Sequence, residues 1–194
     1  MVDHHCDREP LDRAHRLVFN YTYELPSLRR NGFTGTMLSR WSISGVTSIQ
    51  SGTPLTLTDR SAGSVYGRAA TSTITLCPNA THNDLVTSGS VKSRLDHWIN
   101  KSAICPAAVV GSDGVATGYG NAGQSIIMGP GQHDWDISMG KVTKIGGIRE
   151  DAVLQFRAEF YNAFNHPQFS NPGTTFGTAN FGVITQTSVA PRLI

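Results

Sequence analysis

Asp151-Ala-Val-Leu-Gln-Phe-Arg-Ala-Glu-Phe-Tyr-Asn162 decides the fold, because its side chains sort by parity. Leu154, Phe156, Ala158 and Phe160 fall on one side, and Gln155, Arg157 and Glu159 on the other. Successive residues of a β-strand point to opposite faces, so the run is a ribbon with one apolar and one charged side. A helix, at about 3.6 residues per turn, would scatter both sets around its axis. The run also exceeds the usual ~5–6 residues of a soluble strand and approaches the ~9–11 that cross a bilayer at a tilt. Alternation and length together favour a membrane barrel over a soluble sandwich.

The same alternation recurs upstream. Leu17, Phe19, Tyr21, Tyr23 and Leu25 oppose Val18, Asn20, Thr22 and Glu24, and Trp41, Ile43, Gly45, Thr47 and Ile49 oppose Ser42, Ser44, Val46, Ser48 and Gln50. A noisier copy sets Trp135, Ile137 and Met139 against Asp134, Asp136, Ser138 and Gly140. Barrel strands in lipid need apolar residues outward and tolerate polar ones toward the lumen. The pattern therefore predicts an all-β chain of antiparallel up-and-down strands near 15–25, 41–58, 134–145, 151–163 and 188–194. Long Ser-, Thr-, Gly- and Asn-rich loops are expected over 59–133 and 164–187, with little periodicity of their own. Ile145-Gly-Gly-Ile-Arg-Glu-Asp151 reads as a compact turn. If strands alternate in direction, both long loops leave one end of the sheet and both short connections the other, as in outer-membrane barrels.

Composition narrows the class without deciding it. With 15% charged and 39% hydrophobic residues the chain is too neutral for disorder and too polar for a helical membrane protein. No apolar run reaches the ~18 residues of a transmembrane helix. A net charge of +2, spread along the chain, implies no nucleic-acid partner. The start, Met1-Val-Asp-His-His-Cys-Asp-Arg-Glu9, lacks the apolar centre of a secretory signal. Taken literally that argues for a cytosolic protein; a piece of a longer exported chain fits equally well and is the expectation here, because the strands suit a membrane.

Several blocks carry a family resemblance. Asp12-Arg-Ala-His-Arg16 leads into Tyr21-Thr-Tyr-Glu-Leu-Pro26; Trp41-Ser-Ile-Ser-Gly45, Gln50-Ser-Gly-Thr-Pro54, Gly129-Pro-Gly131 and Trp135-Asp136 follow. With Phe156-Arg-Ala-Glu-Phe-Tyr-Asn-Ala-Phe-Asn-His-Pro167 and Asn180-Phe-Gly182, the chain resembles the C-terminal barrel strands of Oar-like TonB-dependent receptors, from about Asp12 to Ile194. The resemblance implies a Gram-negative outer-membrane barrel of about 22 strands, with an N-terminal plug and TonB-coupled solute uptake. Neither plug nor TonB-contacting box stands in this sequence, and it stops at Pro191-Arg-Leu-Ile194, where such receptors run on through a last strand ending in an aromatic residue. The expected partners are therefore outer-membrane lipid, the remainder of the parent barrel and its plug, and TonB through the missing part. A sheet of about five strands has two open edges that lipid cannot satisfy, so alone it is expected neither to close a pore nor to transport.

Candidate residues follow from this frame. Gln155, Arg157 and Glu159 are lumen-facing candidates, with pairing of the charges to neighbouring strands or to a plug the commoner need. Tyr23, Trp41, Trp135 and Phe160 are candidates for the aromatic girdles at the lipid interfaces. Cys77 and Cys105, 28 positions apart in the first long loop, form a candidate disulfide in an oxidising exterior. His4, His5, Cys6, His82, His97 and the group His133, Asp134 and Asp136 lack the paired spacing of zinc ligands. Gly118-Tyr-Gly-Asn-Ala-Gly123 fits a dinucleotide fingerprint by count alone, without a strand before it or a helix after it. Val91, Leu95, Trp98 and Ile99 have helical spacing and suggest a short helix packed under the loop. No nucleophile, base and orienting group converge, so neither catalysis nor a cofactor is expected. The alternative is a soluble extracellular β-sandwich that binds a carbohydrate or protein through the long loop, its aromatics buried between sheets.

Overall fold

The computed structural model describes residues 9, 11–26, 32–60, 62, 72–110, 118–145, 152–189 and 192–193. His4, His5, Cys6 and the predicted turn after Ile145 lie outside the described residues. In chain order the elements are β1 (Arg16–Glu24), a short helix α1 (Phe33–Leu38) and β2 (Trp41–Gln50). Six two-residue strands follow: β3 (Pro54–Leu55), β4 (Thr58–Asp59), β5 (Ser72–Thr73), β6 (Thr75–Leu76), β7 (Ile104–Cys105) and β8 (Ile127–Met128). The last are β9 (Gln132–Lys144), β10 (Val153–Phe160) and β11 (Thr175–Phe176). They fall into two compact units, a sheet unit of Arg16–Gln50, Gln132–Gln168 and Val189–Ile194, and a loop unit of Met1–His15, Ser51–Gly131 and Phe169–Ser188.

The sheet unit holds the four strands that alternate. They lie in the order β1-β2-β9-β10, and every neighbouring pair is antiparallel. Arg16, Gln50, Gln132 and Phe160 thus stand at the end of the sheet where the chain makes its two long excursions. The two short connections stand at the other.

Two boundaries differ from expectation. The second strand ends at Gln50 rather than near residue 58. A side chain at Gly52 would collide with the carbonyl of Gly129, so the backbone turns here at a close approach that only glycine permits, and Pro54 follows without an N–H to donate. The fifth strand, expected over 188–194, is represented among the described residues by one antiparallel bridge between Leu193 and Tyr161.

The loop unit has a core of its own, unlike the loops without internal order that the sequence suggests. Leu57, Ile74, Leu85, Ile99, Ala122 and Phe181 are almost wholly buried, with Trp98 beside them. Burial at about 1.5–3 kcal/mol for each large apolar side chain is what orders so much irregular backbone. Short pairings stitch it: β11-β4-β5, β3-β8 and β6-β7, with β11 parallel to β4. Val91 and Leu95 pack against this core as their spacing suggests, but the helix is a single tight turn, Lys92–Arg94. The Arg94 guanidinium lies 4.0 Å from the Trp98 ring centroid and donates to the Thr87 carbonyl at 2.6 Å; its burial lowers its pKa.

Candidate functional site

Register turns the alternation of single strands into two continuous faces. On one face the rows read Phe19–Thr47–Trp135, Tyr21–Gly45–Ile137–Phe160, Tyr23–Ile43–Met139–Ala158 and Trp41–Lys141–Phe156. On the other they read Asn20–Val46–Asp136, Thr22–Ser44–Ser138–Glu159 and Glu24–Ser42–Gly140–Arg157. One face is aromatic and aliphatic; its reverse is hydroxyl-rich and charged. The Tyr21 ring lies over Gly45, where an added Cβ would come within 2.6 Å of the phenol oxygen. Glycine thus lets an aromatic from the edge strand cover backbone that would otherwise be bare.

A concavity of about 470 Å³ lies against the polar side, lined by Asn20, Thr22, Ser44, Ser138, Arg157 and Glu159 among others. Ser44 and Ser138 share a hydrogen bond of 2.8 Å across the β2–β9 pair. Arg157 and Glu159 pair with each other at 2.5 Å, along the same strand, and the Tyr161 hydroxyl donates to Glu159 at 3.0 Å. Gln155 occupies the same face farther along, opposite Val142.

Each aromatic singled out in the sequence lies on the apolar face. Trp41 is paired with Lys141 and Trp135 lies six positions up the same strand, which puts the two indoles roughly 20 Å apart along β9. Tyr23 and Phe160 lie one row inward of Trp41 and Trp135 respectively. Trp41 meets Phe156 edge to face with ring centroids 5.7 Å apart. Tyr23 is 61% exposed, and among the described residues of the sheet unit no second sheet covers this face, unlike the buried aromatics of a sandwich.

Three residues that sequence reasoning missed hold this framework. Lys141 stands on the apolar face yet is buried; its ammonium donates to the carbonyls of Thr36 and Met37, the latter at 2.6 Å, beneath Trp41. Gln168 pairs its side-chain amide with both main-chain groups of His133, as a neighbouring strand would. Asn162, at a φ of 47°, receives the His166 N–H at 2.8 Å and donates to the His166 carbonyl at 3.1 Å. Its own N–H goes to Asp136 at 3.0 Å. This corner carries Phe164 and His166 against Trp135. Asparagine and proline at 162, 165 and 167 are turn signals; the Asn162 side chain closes this turn on His166 four residues ahead, while its N–H reaches back 26 residues to Asp136.

Cys77 and Cys105 form a disulfide with Cα atoms 4.8 Å apart, where β6 pairs with β7. Among the described residues no three His, Cys, Asp or Glu side chains converge as a metal site. His133 points to the opposite face from Asp134 and Asp136. Gly120 serves close packing, since a side chain there would strike the Thr73 carbonyl.

Among the described residues no helix is long and apolar enough to cross a membrane. Long antiparallel neighbours, apolar on one side and polar around a hollow on the other, define a sector of a transmembrane β-barrel. The chain belongs to the outer membrane beta barrel domain family, whose model matches residues 3–194. It is an all-β protein of the outer membrane. No curated protein and no solved structure matches it.

Proposed function

We propose that the four-stranded sheet is a wall sector of an outer-membrane receptor whose intact barrel takes up a solute with TonB coupling. Its polar side lines the lumen and its apolar side meets lipid. The hollow against the polar face carries this reading: the hydroxyl-rich rows line it, as the inner wall of a water-filled barrel requires. The short-connection end is then periplasmic and the long excursions leave on the outside. Arg157 and Glu159 face the lumen paired with each other. Trp41 and Trp135 form the two interfacial girdles, with Tyr23 and Phe160 just inside them. TonB engages the intact receptor through a part other than this sector, and no chemical step is involved. In native outer membranes, cysteine at Ser138 should react with small water-soluble thiol reagents while cysteine at Ile137 stays protected. Equal reactivity would overturn the assignment of faces, and solute uptake that persists after loss of TonB would overturn the coupling.

A further inference from the structure

We propose that α1 is an interfacial anchor, lying at the lipid boundary on the apolar side of the sheet and held there by Lys141. This rests on the assignment of the apolar face to lipid. A lysine facing hydrocarbon must either reach water or find acceptors. Lys141 is only 7% exposed, and its ammonium is met by the carbonyls of Thr36 and Met37, which belong to the last turn of α1, and by the ring of Trp41 at 5.3 Å. The helix end must therefore lie on the same side of the sheet as Trp41, Lys141 and Phe156, outside the barrel wall rather than across its mouth. The last carbonyls of a helix lack intrahelical donors and carry partial negative charge, so the cation and the helix end satisfy one another. The Trp41 indole N–H adds a third donor, to the Met37 carbonyl at 2.9 Å.

Beside the exposed Thr36, α1 shows two large apolar side chains to its surroundings. Met37 and Leu38 are about half exposed, as is Phe156, whose ring meets Trp41. These side chains continue the face already turned to hydrocarbon, and continuity with that surface makes the lipid boundary the occupant rather than a protein. Interfacial segments seat apolar side chains a few ångströms into that boundary and tryptophan marks its level.

Nitroxide labels at Leu38→Cys and Ala158→Cys, each in a Cys6→Ser background and in native outer membranes, test this. Both labels should collide with oxygen several-fold more often than with a water-soluble nickel chelate. Preference for the chelate at 38 with oxygen preference at 158 would overturn the anchor while leaving the apolar face in lipid. Chelate preference at both would remove the underlying assignment too. A label at 38 sheltered from both probes would mean a protein covers α1, and would also overturn the proposal. Lys141→Met should raise chelate access at 38 several-fold and leave 158 unchanged; no change at 38 would show that Lys141 does not hold the helix.

Discussion

Gln168 is almost wholly buried, and its amide stands where a strand would otherwise pair with the start of β9. Gln168→Leu leaves the His133 N–H and carbonyl without this partner and should cost about 1–3 kcal/mol in urea unfolding, whereas a surface Gln→Leu costs far less. At Asn162 the left-handed backbone sets the order of tolerance: Gly keeps the geometry and loses the side-chain bonds, while Ala loses both. In the loop unit, the Thr81 hydroxyl and N–H both donate to Asp84, and these bonds hold its carboxyl below the usual range. A carboxyl whose pKa is lower folded than unfolded stabilises above the unfolded value and loses that contribution as pH falls through the folded one. Acid titration of the loop unit's unfolding should therefore show a destabilising limb below the ordinary aspartate range, flattened in Asp84→Asn. The roles of Lys141 and Gln168 stay hidden in the sequence because their partners are remote. Lys141 is placed on the apolar face by parity alone, but its acceptors lie 105 and 104 residues away, and Gln168 reaches back 35.

At the scale of elements, legibility follows length. β1, β2, β9 and β10 are each eight residues or longer, enough for a two-residue period to stand out, and the requirement for one apolar side writes it into the sequence. The strands of the loop unit are two residues long, too short to show any period. Their order comes from tertiary burial around Leu57, Ile74 and Phe181, which local pattern does not record. The four helically spaced residues from Val91 to Ile99 do mark apolar contact, but a core reached by one tight turn needs no full helix. The disulfide closes a span of 28 residues in this unit, and Cys105→Ser or reduction should destabilise it by roughly 3–4 kcal/mol. Limited proteolysis between Cys77 and Cys105, with and without reductant, checks this.

For the whole molecule, the two faces predict opposite responses from adjacent positions. Ile137→Lys puts an ammonium on the apolar side near mid-strand and should cost about 2–4 kcal/mol of assembly, while Ser138→Lys on the polar side should be tolerated. Heat-modifiability of the folded barrel on gels, with outer-membrane yield, distinguishes them. The loop unit carries a separate constraint, for Phe181 and Ile184, supplied after β10, fill a core built mostly before β9. The Trp98 N–H reaches the Gly182 carbonyl at 2.8 Å and the Ile184 N–H the Leu95 carbonyl at 2.7 Å. The two excursions are interleaved, so grafting one onto a foreign scaffold would leave a socket without its key. Any attempt to retarget such a protein by exchanging its variable segments has to transplant both together, as a matched set.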